Sequence, residues 1–244
     1  EHSYLASQVV EIVAERGSMF DYYDLEESSE STHRISSIFV RQEEGSNVLI
    51  DGITLLNGIT RNDYYVNIDG EHAETHVLGM TVASARQHVD NHTFISHNVA
   101  RCESNEMFKY VLNDQSVGAF AGKVLVKENC PRTVAYQGNR NIVASADAKM
   151  YSKPQLEIYT DDVKCSHGSA TGQLNEEALF YMRSRGISEA EARQLLMQAF
   201  MSDVIDAVRL PALKDRLHHL VEKRFRGQLA MCADCTAANC AAAK

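Results

Sequence analysis

The sequence predicts a mainly β fold closed by a small α-helical unit. Two observations carry this: from Ile35 to Ala144 the chain is a succession of short β-branched runs broken by turn residues, and beyond Gly172 the hydrophobic period changes from 2 to 3.6. The change falls within Lys153 to Ser188. Leu156, Ile158 and Tyr159 make a short β-rich run, Asp161-Asp162 a turn, and Val163, Cys165 and His167 alternate with Lys164 and Ser166 as strand residues do. Then Asn175 is a good N-cap, and Glu176 and Glu177 suit the positive end of a helix dipole ahead of Leu179, Phe180 and Met182. Many short strands at close spacing admit a sandwich, a barrel or a solenoid.

In chain order, Leu5, Val9, Val10, Ile12 and Val13 favour strand entry. The runs that follow are 35–40, 48–56, 64–68, 76–82, 93–95, 108–112, 123–126 and 141–144. Turns are expected at Gly45-Ser46-Asn47, Asn57-Gly58, Asp69-Gly70, Asn113-Asp114 and Gly138-Asn139. Similar triplets recur at intervals of about two dozen residues, the spacing of solenoid coils, in a degenerate repeat. After Gly186 ends the first helix, Ser188 and Glu191 form a capping box. Ala192, Leu195, Leu196 and Ala199 then follow at helical spacing, with Val204, Ile205 and Val208 continuing the apolar side. Pro211 suits the first turn of a third helix, whose stripe is Leu213, Leu217, Leu220 and Val221. The domains expected are a β core over 1–172, helices over 173–227 and a Cys- and Ala-rich tail over 228–244.

Composition excludes several functions. With 244 residues, 44% of them hydrophobic, the chain can bury a large core. A net charge of −9 argues against nucleic acid or an anionic membrane as partner, since both demand a basic surface. No run reaches the roughly 18 apolar residues of a membrane span, and the charged start is unlike a signal peptide, so a cytoplasmic location is expected. Six cysteines are too sparse for a disulfide scaffold, and we read them as thiols. There is no nucleophile elbow, metalloprotease helix motif or phosphate-binding GxxxxGK[ST] loop.

His72, His76, His88, His92 and His97 invite a metal reading. On strands, however, spacings of four separate side chains by about 13 Å, so polar residues satisfied on or between strands is the better reading. Cys102 and Cys130 read as small buried fillers. Cys165 and His167, at i and i+2, project to one face about 6.6 Å apart and supply half of a ligand set, with Gly168 leaving room beside them. Val163 shares that face, so inward packing of the pair is the competing reading. In the tail, Cys232, Cys235 and Cys240 fall one thiolate short of a closed four-ligand site.

The segment KPQLEIYTDDVKCSHGSATGQL, followed by LFYMRSRGIS, resembles the SufD branch of the SufB/SufD family, scaffolds of the SUF iron-sulfur cluster assembly system. GEHAETHVLG (70–79), HVDNHTFISHN (88–98), RCESNEMFK (101–109) and VGAFAGKVLV (117–126) resemble the family in the same order, so the likeness covers roughly Gly70 to Arg209. The KCSHG run favours SufD over SufB. The resemblance implies an N-terminal region and more β-structure in a full SufD chain, so this one, beginning at Glu1, is expected to be a fragment.

The resemblance implies a right-handed parallel β-helix followed by the helical domain, and a non-catalytic scaffold. It implies pairing with SufB near His167, the ATPase activity residing in SufC, and a SufC contact over 200–210, centred on Phe200, Val204, Ile205, Val208 and Leu210. No cofactor would be held permanently, although iron or an iron-sulfur cluster could be bound transiently together with SufB. Cys165 and His167 become candidate cluster ligands, and the isolated chain is expected to homodimerise. The alternatives are a carbohydrate-active β-helix enzyme and a homodimeric β-helix binding module.

Overall fold

The computed structural model describes residues 3–229, and twelve strands and three helices make up its elements. In chain order the strands are β1 (Tyr4–Ala14), β2 (Met19–Glu27), β3 (Thr32–Gln42), β4 (Asn47–Leu56), β5 (Ile59–Ile68), β6 (Glu74–Ala83), β7 (His88–His97), β8 (Glu103–Leu112), β9 (Val117–Val126), β10 (Val134–Val143), β11 (Lys149–Ile158) and β12 (Lys164–Gly172). Odd strands form sheet A, in the order β1-β3-β5-β7-β9-β11. Even strands form sheet B, in the order β12-β10-β8-β6-β4-β2. Their pairing is parallel, so each coil contributes one strand to each sheet and the chain winds as a parallel β-helix of six coils. Residues stacked in successive coils lie 26 to 32 positions apart, as His33 beside Ile59 and Val117 beside Lys149, which is longer than the two dozen expected.

The β expectation for the first segment holds, and β2 and most of β11 are added. The polar run FDYYDLEE in β2 hid its strand character, because its inward residues include Asp24 and Glu26, which share the partly buried Arg34. Pro154 lies in β11, where the edge position tolerates a missing N–H. Gly138-Asn139 is no turn. Both lie inside β10, where the bare Gly138 Cα faces the end of Met107 and Asn139 donates to the Phe108 carbonyl at 3.2 Å.

Two apolar layers follow from the period-2 pattern. Val48 and Ile50 of β4 point inward with Ile38, Tyr64, Phe108 and Phe120, while Leu49, Ile53 and Leu55 of the same strand point outward under the helices. Sheet B is therefore buried on both faces in its middle strands, which is why 48–56 reads as a nearly continuous apolar run. The lumen also carries Asn, Gln and Glu, beyond the Val, Ile, Phe, Ala and Ser expected to fill it.

The helices are α1 (Glu176–Ser184), α2 (Glu189–Asp206) and α3 (Pro211–Phe225). Asn175 Oδ1 accepts the Ala178 N–H at 3.0 Å, Ser188 Oγ accepts that of Glu191 at 3.3 Å, Gly186 takes φ +90°, and Pro211 opens α3, as the sequence indicates. Leu195 and Ala199, expected in the α2 stripe, face outward; Ala192, Met201, Val204, Ile205 and Val208 are the buried residues.

Three cations fasten this layer to sheet B. Lys109 Nζ donates to the Phe200 carbonyl at 2.7 Å and to Asp203 Oδ2 at 2.6 Å. Arg209 reaches Asp21 and Asn47, and Arg224 reaches Ser84 and Gln87. Lys109→Met keeps most of the aliphatic volume and deletes the charge-assisted bonds, which are worth about 1.5–3 kcal/mol. Hydrogen exchange is expected to quicken in α2 and remain slow in β8; equal protection of α2 in both proteins would refute the anchoring role.

Candidate functional site

β12 is the last strand of sheet B. One edge is bonded to β10 through the register Cys165 beside Ala135 and His167 beside Gln137; the other edge has no neighbouring strand among the described residues. Strand alternation points Cys165, His167, Ser169 and Thr171 towards the lumen side, at the end of the stack where no further coil covers them. Cys165 is half-buried, packs with Val163 against the internal core, and has its thiol pushed up by burial. His167 is exposed. The two competing readings therefore divide between the two residues: the cysteine packs inward and the histidine is accessible.

Beneath His167 the lumen is polar. Gln137 Nε2 donates to Glu106 Oε2 at 2.8 Å, and Thr93 Oγ1 donates to Glu106 Oε1. Burial raises the Glu106 carboxyl to about 7, although both bonds favour its charged form. Gln137 Oε1 is buried and has no partner among the described residues. Farther in, Asn91 donates to Tyr110 Oη at 2.6 Å, and Asn139, Asn141, Ser152 and Ser169 form a bonded cluster at the open end. These groups were missed in the sequence because each is an ordinary polar residue there. Their one signal is parity: Glu106 shares the inward phase of Ser104, Phe108 and Tyr110.

The chemistry available is limited and specific. An exposed imidazole on an open strand edge can accept a metal or a sulfur species brought by a partner, whereas a thiol held protonated by burial is a poor ligand until uncovered. The other histidines are dispersed. His97 is in the lumen, bonded to Ser104 at 2.8 Å and lowered to about 4 by burial; His92 sits beside Asp90 on the outer face of sheet A, and His76 beside Glu74 on that of sheet B. No group of three or more metal-ligating side chains occurs among the described residues. Cys102 and Cys130 fill coil corners, Cys102 Sγ donating to the Gly70 carbonyl at 3.2 Å. Cys232, Cys235 and Cys240 lie outside the described residues.

The expected contact over 200–210 needs correction as a surface. Val204, Ile205 and Val208 are buried against Leu49, Leu78 and their neighbours on sheet B, and Phe200 is half-buried over Lys109; only Leu210, 55% exposed, faces solvent. Helical periodicity identified an apolar face without telling what covers it. Among the described residues the module's exposed large apolar side chains are Phe180, Tyr181, Leu195 and Leu210. No helix among the described residues is long and apolar enough to cross a membrane.

Comparison with known proteins gives the family. Residues 1–200 match the family model described as SUF system FeS cluster assembly, SufBD core domain. An iron-sulfur cluster assembly SufBD family protein of Synechocystis is 34% identical over 198 residues, covering 81% of this chain and 44% of the relative. Iron-sulfur cluster assembly protein SufD of Escherichia coli is 32% identical over 174 residues, covering 71% and 41%. A chloroplastic Arabidopsis thaliana protein, ABCI7, is 30% identical over 223 residues, covering 91% and 47%. The chain thus spans a little under half the length of these relatives. With a six-coil parallel β-helix, a matching core over most of its length and relatives of this kind, the chain belongs to the SufB/SufD family of SUF-system iron-sulfur cluster assembly proteins.

Proposed function

We propose that this chain is a non-catalytic scaffold subunit for iron-sulfur cluster assembly, SufD-like in its pairing. It joins a SufB-type sister through the open edge at β12 and engages a SufC-type ATPase through the exposed face of its helices. The observation that carries the reading is the accessible His167 on a terminal strand whose second edge has no neighbouring strand among the described residues. Such an edge offers a row of backbone donors and acceptors to another strand, and pairing there would bring the sister's ligands to the imidazole. Iron and sulfide are then cargo, held at the seam and released. ATP hydrolysis belongs to the partner, and closure of two ATPase subunits would strain the seam and uncover Cys165. Phe180, Tyr181, Leu195 and Leu210 offer the ATPase an apolar surface that Val204, Ile205 and Val208 do not.

The test is reconstitution with SufB and SufC. Co-elution of the three is expected, and His167→Ala should keep co-elution while lowering cluster formation at least tenfold. Wild-type cluster yield in that variant would remove His167 from the site, and failure of the wild-type chain to co-elute would remove the partners. The same open edge favours self-pairing when the chain is alone. A dimer that gives way to a heterodimer on adding SufB is the expected chromatographic result.

A further inference from the structure

We propose that the cleft where α2 and α3 meet the C-terminal ends of the middle strands of sheet B binds a small carboxylate carrying an apolar chain, with Arg224 as its counter-ion. The cleft has a volume of about 370 Å³ and is walled by Val82, Val111, Leu174, Met197 and Phe225. That size falls within the roughly 300–1,000 Å³ of small-molecule sites, which gather where two structural layers meet. Arg224 and Arg193 bring positive charge to it.

The anomaly is Arg224. Its Nη2 donates to Ser84 Oγ and to Gln87 Oε1, both at 2.8 Å, and to the Val82 carbonyl at 3.5 Å, all three neutral, while Nε is sealed from solvent with no acceptor among the described residues. Glu30 and Asp114 act on the guanidinium only at longer range, and burial is the largest influence on it, pushing its proton affinity down. A partly desolvated cation with no anion in contact among the described residues is costly, and a carboxylate in the cleft would supply the missing charge beside the guanidinium.

The charge around the cleft selects the class. Asp114 also lines it, its Oδ2 accepting the Ala85 N–H at 2.9 Å, and Arg193 is already shared with Glu189 at 3.2 Å. The net positive charge left is small. A monoanion with an apolar body fits it, whereas a phosphate dianion would meet Asp114 and an apolar wall with too few donors to replace its water. Such a ligand would touch the helices and the sheet together and stiffen their junction. This inference does not depend on the role proposed for His167.

The test uses the 244-residue chain and three probes in titration calorimetry and thermal shift. These are octanoate, octanol with the same chain and no charge, and inorganic phosphate with charge and no chain. Octanoate is expected to bind saturably and raise the melting temperature, octanol to bind at least tenfold more weakly, and phosphate to leave both signals unchanged. Arg224→Gln should weaken octanoate binding at least tenfold. Met197→Trp, which fills the cleft and leaves both arginines in place, should abolish it in a protein whose circular dichroism remains wild-type. No octanoate binding up to about 1 mM, the weak end of specific affinity, would overturn the proposal. So would octanol or phosphate binding as tightly as octanoate, or undiminished octanoate binding in the Met197→Trp chain.

Discussion

Asp51→Asn is expected to raise the melting temperature of this protein by roughly 10 °C or more at pH 8, and to leave it nearly unchanged at pH 4. Asp51 lies on β4 between Leu49 and Ile53, facing outward beneath the helices. Tyr23 stands beside it in register on β2 and Leu78 on β6. Neither carboxylate oxygen has a partner among the described residues, both are sealed from solvent, and burial alone raises the group from 3.8 to about 8. The cations that fasten the helices to sheet B are committed elsewhere: Lys109 to Asp203 and Arg209 to Asp21.

The native state thus keeps this proton between about pH 4 and 8 while the unfolded chain releases it. Stability therefore falls as pH rises through that window and is constant above it. The full shift corresponds to a cost on the order of 5 kcal/mol. Asn keeps the shape and polarity of the neutral acid without the ionisation, so the difference between the two proteins should open from pH 4 to 8. Other carboxyls raised by burial, Glu106 and Glu26, are common to both proteins and cancel. Parallel melting curves across that range would show Asp51 to be solvated.

Gly70→Ala is expected to cost several kcal/mol, on the order of 3–5, or to prevent folding. A Cβ at Gly70 would overlap the backbone N of Glu44 and the carbonyl carbon of Glu43 in the neighbouring coil. A side chain in the way could rotate, whereas stacked backbone must separate, and separation would pull on the Cys102 bond to the Gly70 carbonyl and on the Asp69 N–H bond to Gln42 O. By contrast, Gly168→Ala on β12 meets nothing within 4 Å and should melt within about 1 kcal/mol of wild type. Denaturant titration of the two variants decides the point: a mild Gly70→Ala would mean that the coils can part at this corner without loss.

The strand runs, helix caps and polar-apolar alternation were legible because they are local: Asn175, Ser188, Gly186 and Pro211 act on neighbouring backbone, and β-branched runs bounded by turns announce strands wherever they later pair. The solenoid was legible only through family likeness, since its repeat varies by six residues and its coils match in backbone register far more than in sequence. Gly138-Asn139 shows the limit of local signals, as a turn-forming pair was drawn into β10 by pairing on both sides.

The sequence by itself determined which residues share a face, where sheet gives way to helix, and that Cys165 and His167 point the same way. What covers each face was decided only in three dimensions. Burial depends on which distant segment arrives, and period and propensity hold no information about that. Hence Cys165 is packed and His167 open on one strand, Val204, Ile205 and Val208 are spent on sheet B, and Asp51 under the helices and Arg224 on α3, unexceptional as letters, have no ion-pair partner among the described residues.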